Sequence, residues 1–185
     1  MDKPVDFAGN EWHLRPACLD LSGLEKNLDT QNHCIATGFG RLDDSTFPDL
    51  LQQIDMKLYD HDKCASMYPK GVVTDKQICM VSKHNPQPLS RKSYGNPCFG
   101  DSGGPLQCFI NNNWIQLGIT WGAIDCERSP SVFQKIYKYA EFIKNTSSYK
   151  LPTSCKALSV TKLLNSSKNI LLHKIFPRDV IIFPE

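Results

Sequence analysis

The chain has 185 residues, 41% of them hydrophobic and 10% aromatic, and a formal net charge of +2. That size accommodates one or two compact units with a real core, and the composition argues against a disordered chain. So small a net charge makes no electrostatic case for nucleic acid or a membrane surface as partner.

In chain order, the opening Met1-Asp2-Lys3-Pro4-Val5 has no apolar run and no signal-peptide shape. The eight cysteines include no CxxC pair, which disfavours structural zinc; no metal or other cofactor is expected. Their wide spacing fits disulfides formed in an oxidising, extracellular compartment. Oxidised-looking cysteines without an export signal lead to the expectation that sequence is missing upstream. Short apolar runs then alternate with turn residues, and the candidate strands are Cys34–Phe39, Leu51–Leu58, Gln77–Val81, Pro105–Ile110, Trp114–Trp121 and Ser131–Lys135. Six short strands with Gly-, Pro- and Asn-rich connections predict an all-β fold, a small closed barrel. Asn111-Asn112-Asn113 reads as a hairpin tip, because Asn tolerates the left-handed backbone. Asp60–Tyr68 has a helix start and length, and Ile136, Tyr139, Ala140 and Ile143 share one helical face, predicting a helix over about 135–144. From Thr146 to Glu185 the chain is rich in Ser, Lys and Leu without a clear period. Its apolar stretches are far too short to span a bilayer, and it reads as an appendage, disordered or loosely docked. The chain therefore divides at about residue 145.

Gly100-Asp101-Ser102-Gly103-Gly104-Pro105 carries the chemistry. A serine hydroxyl is a weak nucleophile at neutral pH; it needs a base for its proton and N–H donors for the developing oxyanion. Flanking glycines let backbone N–H groups converge on one point. A Gly-rich turn that happens to contain serine is the plain alternative. The hexamer resembles the active-site loop of the chymotrypsin-like serine proteases, and other segments are similar to that family in the expected order. Cys34-Ile35-Ala36-Thr37-Gly38-Phe39-Gly40-Arg41 resembles its cysteine-to-Gly-Trp-Gly strand, with Phe39 for Trp. Pro130-Ser131-Val132-Phe133 resembles its last barrel strand, and Glu141-Phe142-Ile143-Lys144 its closing helix. The likeness covers about residues 4 to 145.

The resemblance implies a six-stranded antiparallel barrel, the second of the family's two, with a C-terminal helix, and serine endopeptidase chemistry on protein or peptide substrates. It makes Ser102 the nucleophile, gives the N–H groups of Gly100 and Ser102 to the oxyanion hole, and gives Asp101 to an activation ion pair. It places Asn96 on the floor of the primary specificity pocket, where trypsin-like members carry aspartate, and Ser131 on its wall. Phe99 falls at the rim, and Thr120-Trp121-Gly122 in the segment that binds substrate backbone. Asp125 reads either as charge at the pocket mouth or as a solvated carboxylate; Tyr68 and Trp121 read as pocket-side aromatics or as core. The implied disulfides are Cys34–Cys108, Cys64–Cys79 and Cys98–Cys126, the first closing a loop that chain-entropy estimates value at roughly 4 kcal/mol. Cys18 matches a cysteine that two-chain members bond to an upstream segment. Cys155 lies outside the family pattern, and a Cys18–Cys155 bond is the other arithmetic option.

The departures matter as much. No Ala-Ala-His-Cys motif surrounds His13, His33, His61, His84 or His173. Asp2 stands too close to Pro4-Val5 to be the triad aspartate. The expectation is a chain without the N-terminal barrel and two triad members, and with no Ile-Val-Gly-Gly-type start to supply an ammonium for Asp101. Asp101 would then be a buried charge without a partner, at a cost of several kcal/mol, with its loop rearranged or hydrated and the isolated chain inactive. A non-catalytic binding or decoy protein on a protease scaffold is the alternative function. An apolar face left by the missing barrel predicts aggregation or partner binding, the missing part of the domain being one partner. Asn145-Thr146-Ser147 and Asn165-Ser166-Ser167 are glycosylation acceptors if the protein is exported.

Overall fold

The computed structural model describes residues 16–29, 31–42, 46–84, 96–126 and 128–146. Six strands, β1 (His33–Gly38), β2 (Gln52–Leu58), β3 (Gln77–Ser82), β4 (Pro105–Ile110), β5 (Asn113–Gly122) and β6 (Ser131–Lys135), form a closed antiparallel barrel in the order β1-β2-β3-β6-β5-β4. Helix α1 (His61–Met67) follows β2, and α2 (Ala140–Thr146) ends the described chain. Every strand lies within two residues of its expected bounds.

The period-two alternation of side chains explains the barrel. In β4, Leu106, Cys108 and Ile110 are buried while Phe109 between them is exposed, so one face of the strand supplies the interior. Met56, Met80, Leu106, Leu117 and Phe133 are fully buried at the centre. Asn111 and Asn112, at φ 51° and 61°, make the two-residue turn between β4 and β5, and Asn113 already pairs with Ile110. Two positive φ angles suit a type I′ hairpin, which explains why Asn is there. Asp60 caps α1 by accepting the N–H of Lys63 at 2.8 Å. The helix expected over 135–144 is instead a 3-10 turn, Ile136–Tyr139, leading into α2, a tightening common at helix starts.

All three implied disulfides are formed. Cys34–Cys108 joins directly paired residues of β1 and β4 with Cα atoms 4.0 Å apart. Cys64–Cys79 pins α1 to β3 over a second core cluster with Tyr68, Val73 and Val132. Cys98–Cys126 ties the serine loop to the 124–129 turn. Cys18 is disulfide-bonded as well; Cys155 lies outside the described residues, as do His13, Asn165, His173 and the appendage from 147 on. Phe39, Leu42, Phe47, Leu50, Phe99 and Ile124 are exposed.

Residues 16–29 lie along the barrel: Leu19 bridges Gln116, whose N–H donates to the Cys18 carbonyl at 2.7 Å. This segment buries an acid pair that the sequence reading missed. Asp20 is fully buried and accepts the N–H groups of Ser22, Gly23 and Glu25. Glu25 beside it is also buried, and among the described residues its carboxylate has no hydrogen-bond donor. Burial first, then the neighbouring Asp20, pushes the Glu25 carboxyl above the ordinary glutamate range, with Lys135 opposing. A raised carboxyl favours the folded state in its neutral form. Its contribution is fully present below the unfolded value and is lost as pH rises through the folded one. Denaturant unfolding across that window should therefore show stability falling with rising pH, and Glu25→Gln should flatten the fall. An identical profile in the variant would refute this assignment.

Candidate functional site

The serine loop is built from backbone hydrogen bonds to two neighbouring segments. Gly103 N donates to the Thr120 carbonyl and Thr120 N to the Gly104 carbonyl, both at 2.8 Å, which lashes the loop to β5. Arg41 N donates to the Phe99 carbonyl at 2.8 Å, which joins it to the chain after β1. Gly100 and Gly103 have φ of 99° and 87°, left-handed conformations in which a Cβ is strained. Among the described residues, the N–H groups of Gly100 and Ser102 donate to nothing. These are the two donors assigned to an oxyanion.

Ser102 is exposed, and its Oγ donates to the Trp121 carbonyl at 3.3 Å. That carbonyl is available because of a bulge: Thr120 pairs with Phe133 and Gly122 with Val132, so Trp121 is the extra residue in the β5–β6 ladder. Gly122, at φ 146°, absorbs the kink. No histidine contacts Ser102 among the described residues. His33 and His84 instead flank Asp55, at 3.0 and 3.5 Å from its two carboxylate oxygens, and His61 opens α1.

The expectation of an unpartnered Asp101 is corrected. The residue is half-buried, and its two carboxylate oxygens accept Gly40 N and Cys98 N, each at 2.8 Å. The cause is the pair of glycines in the strand after Cys34. A Cβ at Gly38 or Gly40 would overlap the carboxylate, so their bare backbones let it approach close enough to be solvated by peptide N–H groups. The loop is ordered around those bonds; the rearrangement expected from an unsolvated charge has no cause.

A cavity of about 550 Å³ opens beside Asp101, lined by Gly38, Gly40, Arg41, Asn96, Phe99 and Ile124 among others. Ser102, Thr120, Trp121, Gly122 and Ser131 do not line it, so the expected substrate-binding residues divide between two faces of the loop. Phe99 is exposed at the rim, its ring 4.8 Å from the Arg41 guanidinium carbon, an arrangement with cation–π attraction. Thr120 and Ser131 are buried, and Ser131 Oγ donates to the Pro97 carbonyl at 3.4 Å. Trp121 is exposed and meets Tyr68 edge-on at 6.3 Å. Tyr68 belongs to the core, its hydroxyl donating to the Pro130 carbonyl. Burial pushes that phenol above its ordinary range. Asp125 both lines the cavity and shapes a turn, accepting Arg128 N at 3.0 Å.

Asn96 is the most constrained of these residues. Its Oδ1 accepts Ser82 N at 3.1 Å, and its Nδ2 donates to the carbonyls of Cys126 and Ser129, both at 3.3 Å. The amide is therefore consumed by the walls it joins. Asn96→Asp would turn a donor into an acceptor facing two carbonyls, so we expect a loss of about 2 kcal/mol, read as a lower thermal midpoint. An undiminished midpoint together with new affinity for benzamidine would contradict this.

Comparison with known proteins agrees with the geometry. The family model described as Trypsin matches residues 10–143, well over half of the chain. Rat kallikrein-8 is 34% identical over 117 residues, which cover 61% of this chain and 40% of that protein. Human kallikrein-11 is 30% identical over 150 residues, 79% of this chain and 46% of that protein. The venom plasminogen activator Haly-PA of Gloydius brevicauda is 28% identical over 147 residues, 78% of this chain and 51% of that protein. The matched part of the chain thus spans about half the length of these relatives.

Proposed function

Because the chain belongs to the trypsin family of serine proteases, we propose that it carries the nucleophile-bearing barrel of a serine endopeptidase, with residues 1–145 as a partial protease domain and 146–185 as an extension. The observation that carries this reading is the state of the loop: Ser102 is exposed and, among the described residues, the N–H groups of Gly100 and Ser102 are uncommitted. Ser102 Oγ attacks the scissile carbonyl carbon, and the two N–H groups receive the oxyanion. The hydroxyl proton goes to a general base and then to the leaving amine; water hydrolyses the resulting ester and frees Ser102. The Trp121 carbonyl accepts a hydrogen bond but is too weak a base to take that proton. Hydrolysis therefore needs a histidine–aspartate pair at Ser102, and the half of the domain that bears this pair in the family is the proposed partner. A free N-terminal ammonium from that half enters the Asp101 cavity. With its amide consumed, Asn96 itself offers a substrate side chain no charge.

Three described disulfides and a venom relative support an extracellular setting. Among the described residues no helix is long and apolar enough to cross a membrane. Asn145 is exposed on α2 and so open to glycosylation.

Co-expression with the N-terminal barrel of a trypsin-family relative tests the proposal. Amide hydrolysis that appears only in the pair and vanishes with Ser102→Ala is expected. A tight but inactive pair would favour the second reading, a non-catalytic binding protein, for which the exposed Phe39, Leu42, Phe47 and Phe99 speak.

A further inference from the structure

A second cleft, of about 590 Å³, lies between residues 25–29, the junction of β2 with α1 and the start of β3, and is lined by Glu25, Asp29, Tyr59, Asp60, Gln77 and Lys135 among others. It shares no lining residue with the Asp101 cavity. Glu25 is 6% exposed, and among the described residues neither carboxylate oxygen has a hydrogen-bond donor. Asp29 and Asp60 each use Oδ1 for backbone N–H groups, leaving Oδ2 without a donor among the described residues. Lys135, a lining residue, already draws the Glu25 carboxyl toward its charged form. Lys26 places its ammonium over the Tyr137 ring at 5.4 Å, while Lys135 and His61 stand in the wall.

A buried carboxylate whose two oxygens lack a donor is costly alone, and a planar donor pair meets it best. A guanidinium offers that pair in a fixed fork, whereas an ammonium is a point charge on a flexible stem. We propose that this cleft binds the guanidinium of an arginine side chain presented by a polypeptide partner, with Glu25 as its bidentate anchor and Asp29 and Asp60 at the mouth. Burial and Asp20, the buried acid beside it, favour the protonated form of Glu25 in the free protein. An arriving guanidinium displaces that proton to solvent, so binding tightens as pH rises. The site does not depend on the chemistry of Ser102.

The test uses the full chain and N-acetyl-L-arginine amide, with the uncharged citrulline analogue as control. Amide shifts in two-dimensional NMR should move at Tyr59, Ile78 and Cys79 with arginine and not with citrulline. Titration calorimetry in buffers of different ionisation enthalpy should show proton release, and Glu25→Gln should weaken binding at least about tenfold. The variant removes a buried ionisable group and keeps its shape, so it is expected to fold. A peptide with arginine in mid-sequence should bind tighter than the single residue. Equal binding of arginine and citrulline, shifts confined to the Asp101 cavity, or an unaffected Glu25→Gln would overturn the site. Equal affinity of peptide and amino-acid amide would overturn the polypeptide partner.

Discussion

Gly40→Ala is expected to destabilise the protein by about 3 kcal/mol and to displace the serine loop. Two effects add. The new Cβ overlaps both oxygens of Asp101, and overpacking of this kind costs about 1–3 kcal/mol. Moving the carboxylate away also breaks its 2.8 Å hydrogen bond from Gly40 N, and leaving a desolvated charge short of a donor costs a further 1–3 kcal/mol or so. Gly71→Ala is the control, since Gly71 has φ 87° but nothing within 4 Å of a new Cβ. It should show backbone strain alone, about 1–2 kcal/mol. If steric overlap is the cause, adding Asp101→Ala to Gly40→Ala should recover part of the loss, a coupling that a double-mutant cycle measures. Strict additivity would refute the mechanism.

Removing the β1–β4 disulfide should have the other large effect. Cys34 and Cys108 are 74 residues apart in the chain, and the chain-entropy relation assigns a loop of that length roughly 4 kcal/mol. Both sulfurs are buried in the barrel, so the Cys34→Ala/Cys108→Ala double variant adds a small cavity to the entropic loss. A fall in thermal midpoint of about 10 °C or more follows for a domain of this size. The Cys64–Cys79 disulfide closes a loop of only 15 residues, nearer to 3 kcal/mol on the same relation, so Cys64→Ala/Cys79→Ala should cost less. Reversal of that order would contradict the account.

The barrel was legible because its signals are local. Alternation in Pro105–Ile110, the Asn pair at the β4–β5 turn and the Asp60 cap each declare themselves within a few residues. The disulfide pairing came from family resemblance; spacing alone leaves it open. What stayed hidden depends on contacts distant in sequence. Asp101 finds its donor at Gly40, 61 residues away; Asn96 spends its amide on Cys126 and Ser129; Glu25 is buried by a segment that docks on β5 through Gln116. The expectation of a charge stranded at Asp101 failed for one physical reason: with no Cβ at Gly38 or Gly40 the carboxylate comes close enough for the N–H groups of Gly40 and Cys98 to solvate it as a counter-ion would. The bulge that turns the Trp121 carbonyl toward Ser102 was equally silent, since Thr120-Trp121-Gly122 reads as ordinary strand.

The central claim is that Ser102 is a positioned nucleophile waiting for a base. Its most direct test is the rate at which a fluorophosphonate probe labels the full chain, with the modified residue located by mass spectrometry. The account predicts labelling confined to Ser102, absent in Ser102→Ala, and about 10⁴-fold or more slower than in a relative with a complete triad. Labelling of this chain alone at the full rate would contradict it.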